Sequence, residues 1–186
     1  MCKGVRQVVK QKSVNFVQHL AHEIDEENVD DYLSNLYPLI GMIVVDFNGL
    51  ESGLDSVLCE IFSDRSDSTG LIVLHKMGYA AKVDLFKRFN DDFQSSLNTS
   101  IDGYNLLLSN LKESGRLRNL VAHADWESTD EDGYTYIKLN ISKRGMEQQY
   151  VQFSEDSLEK IYELILSTRT ALGTFWDARQ EALDNA

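Results

Sequence analysis

The sequence predicts a mainly α-helical bundle of four to six helices with one β-hairpin inserted before the last helix. Apolar residues recur at threes and fours over most of the chain, the mark of helices with one face turned to a core. Alternation at period two is confined to about residues 134–153, around Gly145. The chain also has a single proline and no Pro/Gly-rich linker. At 186 residues it is long enough for one sizeable core, so the expected organisation is a helical N-terminal extension (1–28) followed by one domain (29–186).

Residues 1–28 begin basic, with Lys3, Arg6 and Lys10, and end acidic, from Glu23 to Glu27. Val5, Val8, Val9, Phe16, Val17 and Leu20 are spaced for a helix or two. A helical pattern starts at Val29. Pro38 suits a first turn better than a helix interior, which predicts a break or kink near Tyr37 and a long helix from about Pro38 to Phe62. Phe47, Leu50, Leu54, Leu58 and Ile61 form its inward face, with Glu51 and Asp55 beside it one turn apart.

The polar run Ser63–Ser68 interrupts the pattern. A further helix is expected over about Thr69–Phe89, with Ile72, Leu85, Phe86 and Phe89 inward, and Asn90–Ser100 as a loop. Ile101–His123 reads as the next helix, striped by Tyr104, Leu107, Leu108 and Leu111. Asp125–Gly133 is acidic and turn-rich. Tyr134–Ile141 and Gln149–Phe153 then alternate as a hairpin, with Ile137, Leu139 and Ile141 on one face. Ser154, followed by Glu155 and Asp156, reads as the N-cap of a last helix that runs to about Ala182.

The net charge of −12 argues against a protein that coats nucleic acid non-specifically, since that binding is driven by neutralising phosphates. The charge is uneven, however. Residues 76–118 carry seven cations against five acids, and any phosphate-binding surface belongs there, with Lys82, Lys112 and Arg116 as weak candidates. Cys2 and Cys59 have no metal-type spacing, so no metal or cofactor is expected. Leu39–Val45, the longest apolar run, is too short to span a bilayer, and the N-terminus lacks a secretory pattern. A cytoplasmic protein without a membrane partner is expected.

The most informative segment is Arg118-Asn119-Leu120-Val121-Ala122-His123, which places an arginine, an amide and one of four histidines near a helix end. At 100° per residue, Arg118 continues the stripe of Tyr104, Leu107 and Leu111, and Gly115 leaves room beside it. An arginine on an apolar stripe needs an anion, because a buried guanidinium without one is costly. Glu51 or Asp55 would serve, and so would a phosphate. Taken alone, His123 fits a helix C-terminal cap favoured by the macrodipole, and Trp126 an anchor into the core.

The spacing arginine-polar-x3-histidine, the Gly49–Asp55 helix segment, the Lys82–Phe86 segment, and the order motif, hairpin, final helix resemble bacterial members of the HEPN superfamily (higher eukaryotes and prokaryotes nucleotide-binding). The resemblance covers roughly residues 38–182. It implies a metal-independent endoribonuclease of the toxin or phage-defence kind, in which the ribose 2′-hydroxyl attacks the neighbouring phosphate to leave a 2′,3′-cyclic phosphate. Arg118, Asn119 and His123 would be its catalytic residues, paired face to face with a second copy in a homodimer that Gly115 and Ala122 would allow to pack. On helix position alone, Glu51 is assigned to hold Arg118. The partners implied are a second copy, RNA, and a regulatory protein such as an antitoxin that the acidic run after the motif could engage. The resemblance also admits an inactive module that serves as a regulatory, antitoxin-binding or nucleotide- or RNA-binding adaptor.

Overall fold

The computed structural model describes residues 8–15, 26–62, 67–130, 132–143 and 145–185. In chain order the elements are β1 (Lys10–Asn15), α1 (Glu26–Phe62), α2 (Ser68–Leu74), α3 (Tyr79–Ser96), α4 (Tyr104–His123), β2 (Asp125–Thr129), β3 (Tyr134–Ser142), β4 (Gly145–Gln152) and α5 (Glu155–Asp184). The protein is mainly helical, as expected, and carries a small antiparallel sheet. It divides into two compact units. One is residues 1–44 with 118–162, and the other is residues 45–117 with 163–186.

The first unit is built on the sheet, whose order is β1-β4-β3-β2. The expected hairpin is present, with Tyr134 opposite Gln152 at its base and Ser142 opposite Gly145 at its tip. Two strands flank it that periodicity did not reveal. β1 pairs along β4 from Lys10↔Gln152 to Asn15↔Glu147, which replaces the expected helix at these positions with a strand. The other residues of the expected N-terminal helices, 1–7 and 16–25, lie outside the described residues, with Cys2, His19 and His22 among them. β2 lies in the segment expected to be only turns.

The burial of β3 departs from its alternation. Ile137 is half-buried, but Leu139 is 37% exposed and Ile141 75% exposed. The register shifts between Tyr136 and Lys138, and an extra residue in one strand turns every following side chain to the other face. Thr135, before the shift, stays fully buried and shares a hydroxyl hydrogen bond of 3.0 Å with Thr129. The core of this unit holds Val9, Leu33, Leu36, Ile43, Val121, Val151, Phe153, Leu158 and Ile161. Gly133 has φ of 77°, and a Cβ there would lie 2.7 Å from both the Phe153 carbonyl oxygen and the Tyr32 hydroxyl. That tight corner requires glycine.

The second unit is helical. Phe47, Leu50, Leu54 and Leu58 of α1 are fully buried, with Val83, Phe86 and Phe93 of α3, Leu107, Leu111 and Leu117 of α4, and Ile165, Leu172 and Phe175 of α5. Phe175 meets Phe86 edge-on and stacks with Tyr104, at 5.5 and 5.4 Å between ring centres. The helix expected over Thr69–Phe89 is two helices. Lys76 takes φ of 64° and Gly78 caps α3 in extended backbone, so Ile72 sits on short α2 and is 77% exposed instead of inward. α3 then runs on to Ser96 through most of the expected loop, held by Asn90 and Phe93 on its buried face.

α1 is one helix of 37 residues, with Pro38 inside it and no break at Tyr37. One missing backbone donor costs less than separating Leu33 and Leu36 from Ile43, all of which are buried. Within it, Tyr32–Phe62 is the one helix among the described residues long and apolar enough to cross a bilayer, a test that buried core helices also pass. Ser154 caps α5 as expected. Its hydroxyl accepts the Ser157 amide at 3.2 Å, while the Ser157 hydroxyl accepts the Ser154 amide at 2.8 Å.

Candidate functional site

The motif occupies the last two turns of α4, in the first unit, and its residues differ in exposure. Arg118 is half-buried, while Asn119 and His123 are exposed. Val121, between Asn119 and His123, is fully buried, as is Leu117 just before Arg118, so the polar members lie beside buried neighbours on the helix. Ala122, expected on the buried stripe, is exposed. The helix stops at His123, and the chain turns at once into β2. The Trp126 indole donates to the Val121 carbonyl at 3.1 Å and its ring lies 4.9 Å from that of Phe153. Trp126 is thus the expected core anchor, and it ties the motif helix to the sheet.

The acidic run after the motif has two parts. Asp125, Glu127 and Asp132 are exposed. Asp130 is structural: it accepts the Lys12 ammonium at 2.7 Å, the Tyr134 amide at 2.8 Å and the Asp132 amide at 3.2 Å. Burial pushes the Asp130 carboxyl up, and these hydrogen bonds more than reverse it, leaving its pKa below the ordinary aspartate value. Lys12 also lies 3.8 Å from the centre of the Tyr134 ring. This pairing of β1 with the β2–β3 turn had no counterpart in the sequence reading, because it joins residues 118 positions apart.

The other expected site residues belong to the second unit. Glu51 and Asp55 accept the Lys82 ammonium at 2.9 and 2.8 Å, so the partner found for Glu51 is Lys82. Burial works against the Lys82 charge, but the hydrogen bonds to Asp55 and Glu51 outweigh it and hold its pKa above the ordinary lysine value. Its side chain is only 9% exposed, unlike a surface cation free to meet RNA. Arg116 forms a two-pronged bond with Glu113 at 2.8 and 2.7 Å, and Lys112 lies 3.6 Å from Asp84 with both groups exposed. Gly115 has its space filled from within the unit by Tyr79, so it offers no room to a second copy.

An open cleft of about 640 Å³ in the second unit is lined mostly by apolar groups, among them Ile101, Leu107, Ala171 and Phe175. It contains none of the motif residues. Comparison of the chain with protein-family models, curated proteins and solved structures found no match.

Proposed function

We propose that the chain is a metal-independent RNA endonuclease of the HEPN type that works as a symmetric homodimer, with Arg118, Asn119 and His123 of both copies around one cleft. The observation that carries this reading is the exposure of Asn119 and His123 at the end of α4, beside a half-buried Arg118. A histidine retained for packing would be enclosed, whereas these two side chains are accessible to a substrate.

In the proposed reaction one His123 takes the proton of a ribose 2′-hydroxyl as its oxygen bonds to phosphorus. The bond from phosphorus to the 5′-oxygen breaks, and the second His123 protonates that oxygen. The products are a 2′,3′-cyclic phosphate and a 5′-hydroxyl. Arg118 stabilises the added negative charge on the phosphoryl oxygens, and Asn119 orients the phosphate. Because Arg118 and His123 leave their helix about 140° apart at 100° per residue, a second copy supplies what one helix end lacks.

The test is cleavage of mixed cellular RNA by the purified chain in excess chelator, with the product ends analysed. Arg118→Ala and His123→Ala are each expected to lower the rate by about 100-fold or more while the oligomeric state is kept. Intact RNA with adequate wild-type protein, or unchanged cleavage by both variants, defeats the proposal. Variants that alter only self-association would support the adaptor reading, which is favoured by the ion pairs that already occupy Lys82, Lys112 and Arg116.

A further inference from the structure

The core stripe of α5 ends in a cation. Thr168, Leu172 and Phe175 recur at threes and fours and are at most 4% exposed; Arg179 takes the next position and is 9% exposed. Its guanidinium carbon lies 4.3 Å from the centre of the Phe93 ring and 5.0 Å from that of Trp176. The Nε atom is closed off from solvent and makes no hydrogen bond. Among the described residues no carboxylate forms an ion pair with it, in a chain with 30 acidic residues against 18 basic ones. Burial alone acts on the group and holds its pKa below the ordinary arginine value.

A buried guanidinium is ordinarily matched by a carboxylate. Attraction to two aromatic rings offsets part of the lost hydration, but it uses the charge without satisfying the N–H groups. Those groups point outward in the guanidinium plane as a fork suited to two oxygens of one anion. The terminal nitrogens are not sealed off as Nε is, and an oxyanion placed against them would complete their hydrogen bonds. We propose that Arg179, with Phe93 and Trp176 against it, is a binding site for a single oxyanion, a phosphate or a carboxylate. This site lies wholly within the second unit and rests on no part of the ribonuclease reading.

The test titrates the full chain with inorganic phosphate and separately with acetate, at ionic strength held constant with sodium chloride, following tryptophan fluorescence to which Trp176 contributes. A saturable change is expected with one of the two, and which one identifies the anion. In Arg179→Met the apparent Kd should rise at least about tenfold, and in Arg179→Lys, which keeps the charge but loses the fork, it should rise as well. Arg118→Ala should leave it unchanged. No saturable response of the wild-type protein to either anion overturns the proposal without reference to any variant. So does binding by Arg179→Met and Arg179→Lys as tight as that of the wild-type protein, or binding lost in Arg118→Ala but kept in the Arg179 variants.

Discussion

The ring of Tyr79 lies so close against Gly115 that a Cβ at that position would sit 2.7 Å from two of its carbons. The ring cannot simply swing away, because its hydroxyl donates to the Leu111 carbonyl at 3.0 Å and its centre lies 4.7 Å from that of the Phe47 ring. Two opposing effects decide the outcome of Gly115→Ala. Helix propensity favours alanine by about 1 kcal/mol, whereas forcing a methyl into a packed site costs about 1–3 kcal/mol. Net destabilisation of about 1 kcal/mol is expected in urea unfolding. Tyr79→Ala in the same chain should remove the added penalty of the methyl, and strict additivity of the two changes would refute this account.

Lys82 neutralises two carboxylates that lie one turn apart on α1, and those carboxylates are only 26% and 30% exposed. Lys82→Met leaves them facing each other without a counter-charge. The expected loss lies between that of a surface pair and that of a fully buried one, about 2 kcal/mol. Adding Glu51→Gln and Asp55→Asn should recover much of it. Because the pKa of Lys82 is raised, the contribution is fully present at neutral pH and is lost only as pH climbs through that raised value. A shift in the urea midpoint corresponding to less than about 0.5 kcal/mol would mean the triad is only a surface feature.

Asp130 predicts the opposite pH dependence. Its pKa is lowered on folding, so its pairing with Lys12 stabilises the protein above the ordinary carboxylate range and fades as pH falls through the lowered value. Lys12→Met should cost about 1 kcal/mol at neutral pH, since the lysine is one-third exposed. It should also flatten the decline in stability on acidification below about pH 4. Thermal melts of both proteins from pH 3 to 7 check this, and parallel curves would show that the pair contributes nothing specific to folding.

The parts of the fold that were legible beforehand are those whose signal is local. Tyr104, Leu107, Leu108 and Leu111 announced the buried face of α4 by spacing alone, and all four are buried. Ser154 announced the start of α5 because a capping hydroxyl acts over three residues. The failures share the opposite property. β1 is a strand because β4 offers it an edge far away in sequence, from Asn15 opposite Glu147 to Lys10 opposite Gln152, and Leu139 and Ile141 are exposed because a bulge against β4 reverses their face.

The candidate site divides in the same way. Arg118, Asn119 and His123 were placed at a helix end from their own sequence, whereas the partner of Glu51 was not, because Lys82 sits on a different helix. Arg179 continues an apolar stripe just as Arg118 was read to do, so its position was visible in the sequence, but that no carboxylate among the described residues pairs with it was not. By itself, then, the sequence determined the buried faces of α4 and of the later part of α1, the hairpin, the cap of α5 and the composition of the motif, all of which follow from interactions within a few residues, whereas the limits of the other helices did not. Only the tertiary structure decided which charges meet, which glycine is filled and which buried cation has no carboxylate partner among the described residues. These depend on distances between segments far apart in the chain, about which local periodicity carries no information.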